Sequence, residues 1–390
     1  MSESPAVVDY KSWDSLAAQC ESIENLTTFE REQAKRAFAY LRGELGDSFL
    51  TQALEFGHPL TGFMLNLAPW TRKWLPAFAE QLRFAKSDPS YENIRSRLLD
   101  PKRFTEAYQV LRVATAFRRQ GFSVATDPNL SELSCAKVPD LLLRDEATGD
   151  RIFLEVSALG ESESSRDAHS TMNRLHAPLW RGVPFLWFAA RIHRTLSPRH
   201  LEEIGGRVDG LVKRVQTERA FASLVVDGVL EIGIAPEADK SLLEQWTAAR
   251  GLTVGTMQGP PIRTDELQRV RAKIRKEQEQ LPAGFPGIVV VFSNNLFPFV
   301  KDHRALIGEL EEAVYHHDHL LGVVVGGGYM GTGMPDELMM QGQHIYLRKT
   351  LFDLLIEEYA VLLNQFCSHK VSASSVTKFY NAFKPEASLL

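Results

Sequence analysis

The chain has 390 residues, a formal net charge of −5 at pH 7, 44% hydrophobic residues and 24% charged residues. This length exceeds the roughly 250–300 residues at which a single hydrophobic core stops growing, which predicts two or three domains. The acidic balance excludes a protein that coats DNA with its whole surface, so any nucleic-acid-binding surface must be a local patch.

The cysteines and the apolar runs indicate a soluble, cytoplasmic protein that does not enter a membrane. Cys20, Cys135 and Cys367 lie far apart and lack the spacing of metal ligands, which argues against a disulfide framework or a zinc ribbon. The N-terminus has neither a basic leader nor an apolar stretch, so no secretory signal is expected. The longest apolar run, Gly287 to Val300, contains two asparagines and a proline and is shorter than the ~20 apolar residues of a membrane span.

Residues 1–94 are predicted to be helical, because apolar side chains recur at three- and four-residue spacing and no strand-like alternation is present. We expect the aromatic and leucine stripe in this region to be core packing; its members are Trp70, Trp74, Leu75, Phe78 and Leu82. This helical region is also the candidate surface for a protein partner or for self-association. A linker is predicted at Ser87 to Asn93, which is rich in turn-forming residues.

An alternation of helices and strands is predicted after residue 100. Glycine at 121 is the expected stop of the first helix, and Asp227-Gly228 is a favoured two-residue hairpin turn. The elements up to residue 234 are a helix at Phe104–Gln120, strands at Val138–Leu143 and Arg151–Leu159, a helix at Arg166–Leu179, a strand at Phe185–His193, a helix at Ser197–Val215 and a hairpin at Phe221–Ile234.

The same alternation continues to the C-terminal end. The predicted elements are a helix at Asp265–Leu281, a buried strand at Gly287–Asn294, a helix at Ala305–His317, a strand at Leu320–Val325, a glycine-rich loop at Gly326–Gly333 and a helix at Leu351–Phe366. The predicted fold class is therefore α/β. The predicted organisation is a helical N-terminal region (1–94), a core (95–300) and a C-terminal α/β extension of that core (301–390).

Two acidic residues fall in the neighbouring strands of the predicted core. Asp140 follows a proline at the start of one strand, and Glu155 lies in the middle of the next, within RIFLEVSA. A carboxylate inside an apolar strand is costly to bury alone, and two such groups repel each other unless a divalent cation lies between them. Carboxylate oxygens suit Mg²⁺ or Mn²⁺, which can activate water and neutralise a phosphate. The alternative is that Asp140 is a turn acid and Glu155 is paired with an arginine such as Arg151 or Arg191.

At these residues the sequence resembles the PD-(D/E)XK nuclease superfamily, with Pro139-Asp140 as the first half of the motif and Glu155-Val156-Ser157 as the second. The resemblance covers about residues 95–294. It implies a restriction-endonuclease-like mixed sheet flanked by helices, with Asp140, Glu155 and the Val156 carbonyl as ligands of Mg²⁺ or Mn²⁺. It also implies a glutamate on the preceding helix that joins the metal site, and Glu106 is the matching residue.

The sequence departs from the family at Ser157, where lysine is normal and stabilises developing negative charge. A substitute is sought in the basic helix Asp265–Leu281, whose helical phase places Lys273, Glu277 and Gln280 on one flank. Lys273 is the favoured candidate to share the missing lysine's role with Ser157. The same helix is expected to contact nucleic-acid phosphates through Lys273, Lys276, Arg269 and Gln280.

These residues favour a metal-dependent nuclease or a degenerate relative, with DNA a more probable substrate than RNA. A second hypothesis is a non-catalytic binding module that recruits nucleic acid or a protein partner. A third is a structural α/β protein without a nucleic-acid role. Cleavage and binding assays separate the three.

Overall fold

A computed structural model of the chain describes residues 9–128, 138–180, 186–261, 265–331 and 334–384. The chain forms two compact units. The larger joins Met1–Leu159 to Glu266–Leu390, and the smaller is Gly160–Asp265. The smaller unit is thus inserted between a strand and a helix of the larger one, and this division crosses the boundaries predicted at residues 94 and 300.

The larger unit begins with seven helices, as the spacing of apolar residues predicted for this region. They are α1 (Trp13–Ala18), α2 (Thr28–Leu45), α3 (Phe49–Phe56), α4 (Thr61–Met64), α5 (Pro69–Ala85), α6 (Tyr91–Leu99) and α7 (Phe104–Arg119). Helix α2 has a capping box, in which Thr27 and Glu30 bond each other's backbone N–H groups. Gly121, with φ of +83°, follows α7, and the first three strands come next: β1 (Ser123–Thr126), β2 (Leu141–Asp145) and β3 (Asp150–Ala158).

The smaller unit is a four-stranded mixed sheet with three helices. Its elements are α8 (Glu163–Trp180), β4 (Trp187–Ile192), α9 (Pro198–Glu218), β5 (Ala222–Val226), β6 (Leu230–Ala235), α10 (Lys240–Ala248) and β7 (Met257–Gln258). The hairpin predicted around Asp227-Gly228 is the β5–β6 pair, and Gly228 has a φ of +61°. Of the strand predicted from Phe185, residue 185 lies outside the described residues.

The rest of the chain returns to the larger unit. Its elements are α11 (Glu266–Gln278), β8 (Gly287–Phe292), α12 (His303–Tyr315), β9 (Leu320–Met330), β10 (Glu337–Gln341), β11 (His344–Leu351), β12 (Leu355–Leu363) and α13 (Ala373–Phe383). No helix within the described ranges combines the length and the apolar character needed to cross a membrane.

The larger unit is built on an eight-stranded mixed sheet in the order β1-β2-β3-β8-β9-β12-β11-β10. Strands β3, β8 and β9 are parallel, and the other pairs are antiparallel. One face of the sheet packs against α7, α13 and the N-terminal helices. The other packs against α11 and α12. The chain is therefore α/β, and its central strands are covered on both faces.

The N-terminal helices share a core with the sheet. Trp74, Leu75, Phe78 and Leu82 are buried in the same cluster as Leu154 of β3, and the Trp74 indole donates to the Tyr108 hydroxyl of α7 at 2.9 Å. Trp70 is buried as well. The aromatic stripe is core packing, as predicted.

Two predictions for the C-terminal third are wrong. The helix expected at Leu351–Phe366 is strand β12, and β9 continues through the first part of the glycine stretch expected to be a loop. Glu357 and Glu358 project to opposite faces of β12, and both are buried. Glu357 pairs with Arg112 of α7, and Glu358 pairs with Arg348 of β11. Arg112 is therefore a buried structural group.

Candidate functional site

The candidate site lies where the pairing between β2 and β3 ends. The last register pair is Leu141 with Leu154, and Asp140 stands just before it. The Asp140 carboxylate accepts a hydrogen bond from the Val156 backbone N–H at 3.0 Å, while its own carbonyl accepts one from the Asp127 N–H at 2.9 Å. These two bonds hold Asp140 directly against β3, with no other strand between Asp140 and β3.

Glu155 projects from β3 toward α11. Side chains alternate along the strand, so Phe153, Glu155 and Ser157 share one face, and Phe153 packs in the cluster that contains Val270 and Ile274 of α11. Glu155 is only 5% exposed, and its Oε1 atom is buried without a hydrogen-bond partner in the part of the chain that the structure describes. The Glu155 carboxyl group is therefore held in an apolar layer with one oxygen unsatisfied.

The carboxyl groups of Asp140 and Glu155 face each other. Burial, the charge of Asp140 and a hydrogen bond between the two side chains raise the pKa of Glu155 to about 10. Burial also raises the pKa of Asp140, although that hydrogen bond and the Val156 N–H oppose the rise. In the absence of a cation the pair thus favours a shared proton, because two adjacent buried carboxylates cannot both ionise cheaply.

Arg97 of α6 supplies a positive charge on the other side of Asp140. Its guanidinium lies 3.5 Å from Asp140 Oδ1 and 3.5 Å from Asp127 Oδ1, and the side chain is buried. Among the described residues neither Arg151 nor Arg191 forms an ion pair with Glu155: Arg151 lies over the Phe285 ring, and Arg191 donates to Gln258. Sequence reasoning missed Arg97, because its position in α6 carries no motif.

Helix α11 contributes a lysine–glutamate pair. Lys273 Nζ lies 2.6 Å from Glu277 Oε1, and Glu277 is buried. The negative charge of Glu277 raises the pKa of Glu155, so this end of α11 lies over the site. The helical phase predicts Glu277 beside Lys273 but gives Glu277 no role. The four-residue spacing of the two residues is the sequence signal that indicates an ion pair.

The remaining predicted catalytic residues occupy two different environments. Glu106 lies in the first turn of α7, is exposed, and raises the pKa values of both Asp140 and Glu155 through its charge. Ser157 is buried two residues beyond Glu155, on the same face of β3. The structure thus brings one predicted residue from the helix and one from the strand to the edges of the Asp140–Glu155 pair.

The residues expected to bind nucleic acid differ in how accessible their side chains are. Lys276 is exposed, whereas Arg269 is bonded to the buried Glu266 at 2.6 Å. Gln280 is half-buried beyond the end of the helix, and its backbone N–H donates to the Glu277 carbonyl. Arg269 therefore has a structural ion pair, and Lys276 is the more accessible cation.

The oxygen atoms at this site provide part of the ligand set that a divalent cation needs. No group of three or more His, Cys, Asp or Glu side chains placed to hold a metal is found in the part of the chain that the structure describes. The two carboxylates can be supplemented by a main-chain oxygen, since the N–H and C=O of one residue in a strand point to the same side. The Val156 carbonyl accordingly faces the same edge of β3 as the Val156 N–H, beside Asp140 and beyond the last residue pair that β3 forms with β2. Two carboxylates and one carbonyl, completed by water, suit Mg²⁺.

Comparisons with protein-family models, with curated proteins and with solved structures find no significant match for this chain.

Proposed function

We propose that this protein is a metal-dependent phosphodiesterase acting on nucleic acid, with Asp140 and Glu155 as the protein ligands of Mg²⁺ or Mn²⁺. One observation carries the proposal: two buried carboxyl groups meet at a strand end, and one oxygen of Glu155 has no hydrogen-bond partner among the described residues. A divalent cation would satisfy that oxygen and offset the Asp140 charge that raises the pKa of Glu155.

The chemistry follows from the character of the groups around the carboxylates. The bound ion would lower the pKa of a coordinated water and neutralise charge on the phosphate. Lys273 is paired with Glu277 of α11, whose charge acts on Glu155. It can supply the positive charge that the family places on the strand, if substrate or metal draws it away from Glu277. Ser157 can donate a hydrogen bond. Lys276 is exposed and can contact a nucleic-acid phosphate, an interaction that does not depend on the base sequence.

The test is cleavage of supercoiled plasmid DNA, single-stranded DNA and single-stranded RNA with Mg²⁺, with Mn²⁺ and with a chelator. We expect metal-dependent cleavage that Asp140→Asn and Glu155→Gln each reduce at least ~100-fold. The matched control is Glu146→Gln, an exposed acid in the turn between β2 and β3, which should cleave like the unmodified protein. Equal residual activity in all three variants would overturn the assignment.

A binding module without catalysis is the second candidate. The Lys273–Glu277 ion pair favours this candidate, because Glu277 already neutralises the lysine proposed for the catalytic role. Binding to DNA that weakens steeply with salt, without cleavage in either metal, is the expected behaviour of such a module. Inactivity in both assays would leave an α/β protein with no nucleic-acid role.

A further inference from the structure

Arg97 lies in the last turn of α6, beside the two carboxylates but outside the set of residues proposed to bind the ion. Its Nη2 atom is 3.5 Å from Asp140 Oδ1, and its Nη1 atom is 3.5 Å from Asp127 Oδ1. The two nitrogen atoms of one guanidinium therefore face two different carboxylates. A lysine could not reproduce this arrangement, because its charge is a single point without the planar fork of arginine.

Asp127 connects α6 to the main chain of Asp140. It directly follows β1 and has a φ of +42°, a conformation that aspartate tolerates better than most residues. Its backbone N–H donates to the Asp140 carbonyl at 2.9 Å, and its Oδ2 atom accepts a hydrogen bond from the side chain of Asn93. Asn93 and Arg97 are four residues apart on α6, so both reach Asp127 from one face of the helix.

The Asp140 carboxylate has a different partner for each oxygen. Oδ2 accepts the Val156 N–H at 3.0 Å, while Oδ1 faces Arg97. At 3.5 Å the contact with Arg97 is long for a hydrogen bond, but the attraction between two buried charges remains strong. The last side-chain torsion of aspartate is soft, so the orientation of its carboxylate is set by such partners. With a partner on each oxygen, the Asp140 carboxylate is held in one orientation.

Arg97 occupies its place at a cost in stability. The side chain is only 6% exposed, and its Nε atom is buried without a hydrogen-bond partner among the described residues. A buried donor without an acceptor destabilises the folded state, because it has lost its bond to water. Departures of this kind from the most stable arrangement are typical of functional sites.

We propose that Arg97 and Asp127 act together as positioning residues, which hold the Asp140 carboxylate in the orientation that binds the divalent cation. This proposal rests on the metal site proposed above, and it assigns neither residue a bond to the ion. Carboxylates that bind metals are commonly oriented by hydrogen-bond partners of their own, and the loss of such a partner typically weakens metal binding roughly 10–100-fold.

The test is the affinity of the full chain for Mn²⁺ at pH 8, measured by calorimetry without nucleic acid. Arg97→Lys keeps the positive charge and removes the fork, and we expect it to weaken Mn²⁺ binding about tenfold. If Arg97 acted only through its charge, Arg97→Lys would bind Mn²⁺ like the unmodified protein. Arg97→Gln would then bind it more tightly, because a cation beside the site repels the ion. That pair of results would overturn the proposal and leave the metal site intact.

Asp127→Asn is the second variant, and it serves as the test if Arg97→Lys does not fold. It keeps the backbone N–H that bonds Asp140 but removes the charge that faces Arg97 Nη1. We expect Mn²⁺ binding to weaken, and the double variant to bind no more weakly than Arg97→Lys alone, because the two residues act as a unit. Additive losses, or unchanged affinity in both single variants, would contradict this joint action.

Arg348→Lys is the control for a general loss of stability. Arg348 is a largely buried arginine paired with Glu358, and its strand β11 is the fourth from β3 in the sheet. This variant should lower the melting temperature without changing the affinity for Mn²⁺. Equal weakening of Mn²⁺ binding in Arg348→Lys and Arg97→Lys would overturn the positioning role. Absence of Mn²⁺ binding by the unmodified protein would overturn both this proposal and the metal site.

Discussion

The Asp140 carboxylate accepts a hydrogen bond from the Val156 backbone N–H at 3.0 Å, and this bond places it beside the strand that carries Glu155. Strand β2 has not yet begun at this point, so the polar edge of β3 is open to a side chain instead of a neighbouring strand. The consequence is a buried pair of carboxyl groups at the end of the β2–β3 pairing.

Replacing Glu155 by glutamine should stabilise the metal-free protein at pH 8. In the unmodified protein the Glu155 carboxyl group must either stay protonated or carry a buried negative charge. Glutamine removes this cost and keeps the shape of the side chain. We expect its melting temperature to equal or exceed that of the unmodified protein by a few degrees, roughly a 1 kcal/mol effect. Glu146→Gln should change it little. A strongly destabilised Glu155→Gln would mean that the carboxylate has a favourable partner in the fold.

The pH dependence of stability has a definite sign. Because the folded pKa of Glu155 is raised from 4.5 to about 10, the folded state binds more protons than the unfolded chain in this interval. Stability should therefore be fully present below pH 4.5 and be lost as pH rises toward 10, by at most ~1.4 kcal/mol per pH unit for this proton. Denaturant unfolding of the unmodified protein and of Glu155→Gln in chelator measures the difference. A difference that does not change with pH would contradict the raised pKa.

Lys273 and Glu277, the ion pair on α11, should be energetically coupled to each other. Lys273→Met leaves Glu277 buried without its cation and should cost about 1–3 kcal/mol of stability. Glu277→Gln in the same chain should restore most of it, because the unpaired charge is gone. Lys276→Met, three residues along and exposed, is the matched control and should be nearly neutral. Additive losses in the double variant would show that the pair does not interact.

Much of the architecture follows from the sequence where one face of an element is buried. Helix α7, strands β2 and β3, and the β5–β6 hairpin all have clear periodicity or turn residues, and they lie close to the predicted bounds. The alternation along β3 also correctly put Glu155 and Ser157 on one face. Strand β12 was not predictable in this way. Both faces of β12 are covered, so apolar and polar residues do not alternate along it. Its adjacent glutamates, Glu357 and Glu358, resemble the polar face of a helix.

The site was only partly predictable for a related reason. Asp140 directly precedes β2 and Glu155 lies in β3, so their proximity follows from a short hairpin. Arg97 and Glu277 reach the same place from helices α6 and α11, which only the tertiary fold brings there. The insertion of residues 160–265 also separates β3 from α11 in sequence, although they pack together in the larger unit.

The buried pair between α7 and β12 should be costly to break by removing one partner. Arg112→Met leaves Glu357 in the core, where its remaining polar neighbours among the described residues are Lys349, 3.9 Å away, and Tyr359. We expect a loss of about 3–5 kcal/mol. Arg103→Met, an exposed arginine at the start of the same helix, should cost little. Chemical denaturation measures both, and a loss below about 1 kcal/mol for Arg112→Met would contradict the buried network.

The glycines of β9 permit a close approach that alanine would block. A Cβ atom at Gly327 would lie 2.2 Å from the carbonyl oxygen of Ser293, whereas at Gly328 its nearest neighbour would be at 3.6 Å. Gly327→Ala should therefore cost about 1–3 kcal/mol, and Gly328→Ala should be neutral or slightly stabilising. The two variants differ only in position, so similar unfolding free energies would contradict the packing of β9 against Ser293.

The most direct test of the metal site is calorimetric titration of the full chain with Mn²⁺ at pH 8, in two buffers of different ionisation enthalpy. Because the carboxyl pair retains a proton without metal, we expect Mn²⁺ to bind and to release about one proton. Asp140→Asn and Glu155→Gln should each abolish binding, while Glu146→Gln should leave it intact. Absence of Mn²⁺ binding at millimolar concentration, or binding that persists in both site variants, would contradict a cation held between Asp140 and Glu155.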